Sequence, residues 1–175
     1  MNNEVLKTIK ERRSVRKFKA DAVPEQLVDA VIEAGLYAPS GRGAQATTII
    51  AVTSKQLIAE LSAMNAKIMG KDFDPFFGAP VVLIVLGDKS AAPTYVYDGA
   101  LTMGNMMLAA KSLGLGSIWI HRAKQEFESD EGKAILKKIG VEGDFEGIGH
   151  CCIGYCDGDE PIPAPRKPGR VFYVK

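Results

Sequence analysis

Arg12-Arg13-Ser14-Val15-Arg16-Lys17-Phe18 places three arginines around a serine within five residues. Guanidinium forks and a hydroxyl are the donors that hold a phosphate, so this stretch predicts an anion site. A second basic stretch, Arg166-Lys167-Pro168, stands near the other end. Seven Lys or Arg in the first 20 residues face only Glu4 and Glu11, and residues 164–175 hold four cations without an acid. From Glu126 to Glu160, by contrast, ten acids face Lys133, Lys137 and Lys138. A chain charged in this way can gather its two ends on one multivalent anion.

Other chemistry-bearing residues are sparse. The two histidines, His121 and His150, have no paired carboxylates in a recognisable setting, and no Walker, His-Glu-x-x-His or Gly-x-Ser-x-Gly sequence occurs. Gly41-Arg42-Gly43-Ala44-Gln45-Ala46 fits G-x-G-x-x-A, but a predicted helix precedes it and a strand follows. That is the reverse of the order that seats a pyrophosphate on a helix N-terminus. Cys151, Cys152 and Cys156 fall within six residues, an odd number without spaced partners, which argues for a reducing compartment. In an extended segment His150 and Cys152 point away from Cys151, so a buried strand is expected and no metal site. A protein so equipped suits chemistry carried by a cofactor.

The elements that must position these residues follow from periodicity. Val5, Leu6 and Ile9 mark a helix leading into the arginines. Pro24-Glu25 opens a second, with Leu27, Val28, Val31, Ile32 and Leu36 in register, ended by Ala38-Pro39. Residues 48–53 predict a buried strand, 55–68 a helix and 70–78 a loop. The β-branched run 81–86 predicts a central strand buried on both faces. The helix predicted over 93–113 is apolar on nearly every side, including Met103 and Met106, so it must be covered all round, and packing against a second copy achieves this. Residues 117–120 predict a short strand, 130–139 a helix closed by Gly140 and 146–155 another strand. Pro161, Pro163 and Pro165 enforce an extended arm, and 170–174 regains strand character. Without regular βα alternation the expected class is α+β.

At 175 residues, net charge +1, 46% apolar and 25% charged, the chain reads as one domain over 1–175 and not as a dedicated nucleic-acid or membrane binder. No apolar run approaches the ~18 residues of a membrane span, and no signal peptide precedes the first helix, so a cytoplasmic location is expected.

Two further stretches, Ala38-Pro39-Ser40-Gly41 and Leu113-Gly114-Leu115-Gly116-Ser117, complete a pattern with the two basic segments. In order and spacing the four resemble the nitroreductase family of FMN-dependent oxidoreductases, from about residue 4 to 174. The resemblance implies a nitroreductase-like α+β fold: a central mixed or antiparallel sheet flanked by helices, in an intertwined homodimer that exchanges C-terminal arms. It places Arg12, Arg13 and Ser14 on the FMN phosphate, with Arg166 and Lys167 approaching from the partner's arm. Arg16 would lie near the N1 and C2 carbonyl edge, where a cation favours the reduced flavin. Pro39, Ser40 and Gly41 would pass beside the ribityl chain and ring, with Gln45 downstream. Ile120, His121 and Arg122 would offer backbone N–H groups to the N5 and O4 edge.

No side chain is assigned a catalytic step, because the chemistry falls at flavin N5. The implied reaction is ping-pong electron transfer from NAD(P)H to a small acceptor such as a nitroaromatic or quinone. Alternatives on the same fold are reductive dehalogenation, flavin fragmentation, or a flavin store or sensor without turnover. Segments 65–78 and 122–133 are the expected covers over the flavin. Asp98 and Asn105, on the apolar helix, are expected to make hydrogen bonds between helices.

Overall fold

The computed structural model describes residues 3–175. The elements run α1 Glu4–Glu11, α2 Glu25–Leu36, β1 Thr47–Val52, α3 Lys55–Met69, β2 Val81–Asp88, α4 Tyr95–Ser112, β3 Gly116–Ile120, α5 Ala123–Glu128, α6 Asp130–Lys138 and β4 Phe145–Gly154. The strands form one sheet in the order β1-β2-β4-β3, every pair antiparallel. Ser14 adds an isolated parallel bridge to Ser117 on β3, so the N-terminal segment continues the sheet at that edge. The class is α+β, as expected.

β2 and β4 occupy the middle and are buried nearly throughout, which is why β2 reads as an unbroken β-branched and leucine run. Alternation of side chains divides the interior in two. Leu83, Val85, Cys151 and Ile153 face α2 and α4 with Val31, Met103 and Met106. Val82, Ile84, Leu86 and Cys152 face the other layer with Leu61, Phe76, Ala123, Phe127 and Leu136. Cys151 and Cys152 thus enter opposite cores as free thiols. Burial pushes the Cys151 thiol up to about 12, against the nearby Arg12 charge, and pushes Cys152 well above the ordinary range.

The structure corrects or extends the expectation in five places. β1 is only half-buried, because it is an edge strand. Residues 122–133, expected as a cover, hold α5, which lies on β4 with Ala123, Glu126 and Phe127 in the interior, and the start of α6, which packs against α5. Residues 65–78 are likewise anchored by Asn65, Pro75 and Phe76, and Asp74 closes their turn by accepting from Ser62 Oγ at 2.6 Å and the Gly78 N–H at 2.6 Å. Within one chain α4 is covered on one side only: Met103 and Met106 are buried against α2 and the sheet, whereas Tyr97 is 72% and Leu101 47% exposed. Residues 170–174 form no strand among the described residues. Pro161, Pro163, Pro165 and Pro168 lack an N–H and hold the tail extended and exposed. No helix among the described residues is long and apolar enough to cross a membrane.

Candidate functional site

Helix α1 is capped at its start by Asn3, whose side chain accepts from the Leu6 N–H at 2.9 Å, and ends where the Arg12 N–H reaches Thr8 O at 2.9 Å. The chain then straightens along β3, and the Val15 N–H donates to Ser117 O at 3.0 Å. Close approach is possible because Gly116 has no Cβ: one there would stand 2.7 Å from Val15 Cγ2. Arg12, Arg13 and Ser14 are thereby half-buried against the start of β3.

Three polar atoms at this junction are buried without a partner among the described residues: one terminal nitrogen of Arg12, Nε of Arg13 and Oγ of Ser117. Buried donors are almost always paired, because an unpaired one loses its water and gains nothing. All three also lack solvent contact, so what the fold shows here is two guanidinium groups and the Ser14 hydroxyl gathered at the start of β3. From sequence Ser117 reads only as part of a glycine-rich strand start; the backbone bridge to Ser14 sets it beside the arginine stretch. Arg16 is exposed, and Lys17 pairs with Asp157 at 2.7 Å, which holds the lysine above and the aspartate below their ordinary values.

At the far end of β3, Ile120 is buried, the His121 side chain is exposed and Arg122 adopts φ +81°. The His121 carbonyl accepts from Asn65 Nδ2 at 2.8 Å, while Arg122 Nε donates to Asn65 Oδ1 at 3.1 Å. Four residues of strand separate Ser117 from His121, about 13 Å at the usual rise.

Residues 38–45 form a tight turn against the start of α4. The Ser40 hydroxyl accepts from the Gln45 N–H at 3.0 Å, and Asp98 accepts from the Gly41 N–H at 3.0 Å and Thr94 Oγ1 at 3.2 Å. Asp98 thus joins helix to loop, whereas Asn105 does bridge helices, donating to Ala34 O of α2 at 3.0 Å. The close approach that requires glycine at 41 is to Thr94, whose Oγ1 would lie 2.2 Å from a Cβ. Pro39, Ser40, Gln45 and Asp98 line a small cavity of about 60 Å³.

One chain does not unite all the predicted residues. Among the described residues no hydrogen bond or ion pair joins the 38–45 turn to Arg12, Arg13 or Ser14. Arg166 and Lys167 lie on the exposed tail, where the Arg166 guanidinium bonds only Ala164 O.

A sheet between two helical layers, with Arg12, Arg13 and Ser14 at the start of an edge strand, defines the protein as α+β. The model of the nitroreductase family matches residues 9–155, and the chain belongs to that family. A crystal structure titled as a nitroreductase with bound FMN from Bacteroides fragilis superposes with TM-score 0.91 over 99% of this chain and all of its own, at 30% identity. A protein of Methanothermobacter thermautotrophicus, provisionally named NADH dehydrogenase/NAD(P)H nitroreductase, is 34% identical over 120 residues, 66% of this chain and 60% of its own length. An FMN reductase [NAD(P)H] of Bacillus subtilis is 29% identical over 132 residues, spanning 53% of that protein.

Proposed function

We propose that the chain is a homodimeric FMN oxidoreductase that draws electrons from NADH or NADPH and passes them to a small acceptor. The observation that carries this reading is the superposition, at TM-score 0.91 and 30% identity, on a nitroreductase with bound FMN, and Arg12, Arg13 and Ser14 at one end of β3 suit its terminal phosphate. FMN, when bound, supplies hydride acceptance and release. Ser14 adds a hydroxyl to the phosphate end, and Arg16 places a cation where reduction builds negative charge. The 120–122 backbone supplies amide donors at the other end of the strand. Neither the Pro39–Gln45 turn nor Arg166 and Lys167 reach this strand within one chain, so we assign them to the site of a second copy.

The second copy is also supported by uncovered apolar surface. Tyr97 and Leu101 on α4 and Val5 and Ile9 on α1 are exposed, α1 and α4 border a groove of about 310 Å³, and Phe172 on the tail is 88% exposed. No side chain of the chain is assigned proton transfer. Donor and acceptor use the same face in turn, a ping-pong order, with acceptors of the nitroaromatic or quinone type.

The test is the visible spectrum of the purified protein, followed by anaerobic addition of NADH and then NADPH. Flavin bands that bleach support the reading. A colourless protein that gains no such bands when FMN is supplied overturns it.

A further inference from the structure

Behind the tip of β3 lies a polar chain that the proposed chemistry does not use. Asn65 on α3, Glu126 on α5 and His150 on β4 are each 0% exposed. Asn65 Nδ2 donates both to Glu126 Oε1 and to the His121 carbonyl, the latter at 2.8 Å. Glu126 Oε2 lies 2.9 Å from His150 Nε2, an ion-pair distance without hydrogen-bond alignment. His150 stands on the central strand β4, opposite Ile84 of β2 and Ile120 of β3, with the Phe76 and Phe127 rings against it at 5.1 and 6.1 Å. Burying a carboxylate and an imidazole in an aromatic setting is costly, and an apolar trio would fill the space more cheaply. The feature therefore calls for a use beyond stability.

Its geometry supplies one. Every described peptide is trans, so a carbonyl and the following N–H point in opposite directions. With the His121 carbonyl drawn inward to Asn65, the Arg122 N–H is turned away from the core. That N–H donates to no group among the described residues. The turn also needs Arg122 in left-handed backbone, φ +81°, which costs a residue with a Cβ and persists only when neighbours hold it. The Arg122 side chain is held by Asn65 Oδ1 and, at 3.2 Å, by Met69 Sδ.

We infer that Asn65, Glu126 and His150 are positioning residues that fix the Arg122 amide as an outward donor to the N5 edge of the flavin, anchoring the tip of β3 to the central strand. The inference rests on the function proposed above. His150 is held by β4, Glu126 spans from His150 to Asn65, and Asn65 sets the 121–122 peptide plane. The oxidised ring offers a lone pair at N5, whereas the reduced ring carries a proton there. The amide therefore serves the oxidised form and lowers the reduction potential.

The test uses 15N-arginine-labelled wild-type protein and two variants, Asn65→Ala and Glu126→Gln. In wild type, the Arg122 amide resonance should move when FMN is added. Asn65→Ala frees the peptide plane, so binding of oxidised FMN should weaken about tenfold, the loss of one hydrogen bond. If reduced FMN is unaffected, the midpoint potential should rise by about 30 mV, the two-electron equivalent of that factor. Glu126→Gln keeps an acceptor for Asn65 and an N–H toward His150, and should retain wild-type affinity and potential. A yellow wild-type protein whose Arg122 amide is unmoved by FMN would overturn the positioning role while leaving the proposed function standing. So would a folded Asn65→Ala protein with unchanged potential. Wild type that binds no FMN by absorbance would overturn both.

Discussion

Replacing Ser117 by Ala changes two quantities in opposite directions, and the sign of each follows from one hydroxyl. Ser117 is 1% exposed and its Oγ has no partner among the described residues. The backbone bond from the Val15 N–H to Ser117 O at 3.0 Å does not involve that oxygen and survives the change. With no protein partner among the described residues, a buried hydroxyl of this kind costs about 1–3 kcal/mol in the flavin-free protein. Ser117→Ala should therefore raise the stability of the flavin-free protein by up to that amount, seen as a higher urea midpoint at unchanged slope. With phosphate present the same hydroxyl makes a charge-assisted bond worth about 1.5–3 kcal/mol, so FMN affinity should fall roughly ten- to a hundredfold. Titration of flavin-free protein with FMN, followed by fluorescence quenching, measures the second effect. A variant that is stabilised yet binds FMN as wild type does would show that the anion sits elsewhere. One that is destabilised would show that the hydroxyl is paired.

Leu101→Asp, on the open face of α4, should leave a folded chain that sediments as a monomer. Met106→Ala, inside the same helix, should instead cost about 2–5 kcal/mol of stability through a cavity, without directly touching the subunit contact. Gly41→Ala puts a methyl on Thr94 and should break the Gly41–Asp98 bond, destabilising the protein by about 1–3 kcal/mol, readable in thermal unfolding. At pH 8 Ellman's reagent should reach Cys156 first, because burial holds the Cys151 thiol up at about 12 and Cys152 also far above the ordinary range. Release of all three thiols at one rate in native buffer would contradict the two-core arrangement.

Local pattern made most of the framework readable. The run 81–86 could only be a strand buried on both sides, and the period of α2 placed Val28 and Val31 inward. The arginine stretch was legible because charge and spacing are local properties. Helix α5 was not, since its buried stripe of Ala123, Glu126 and Phe127 spans little more than one turn and carries an acid. Asn65 left a signal that could have been read: it follows Leu57 and Leu61 at four-residue intervals, a polar group in an apolar stripe. The contact of Glu126 with His150 has no such signature, because it depends on how α5 lies across the sheet. The periodicity of α4 announced apolar surface on every side but not that its own chain covers only half. The neighbour that requires glycine at 41, Thr94, lies far along the chain and leaves no local signal.

The tail beyond Asp157 places Ile162, Val171, Phe172, Tyr173 and Val174 in water, and its prolines prevent it from curling back as a helix to shelter them. The sheet and both of its cores are complete before this ribbon begins. In the proposed dimer a chain would therefore finish its interior alone and seat its tail only on meeting a second copy. That step would be second order in protein, and dilution, not denaturant, would be the gentlest way to undo it.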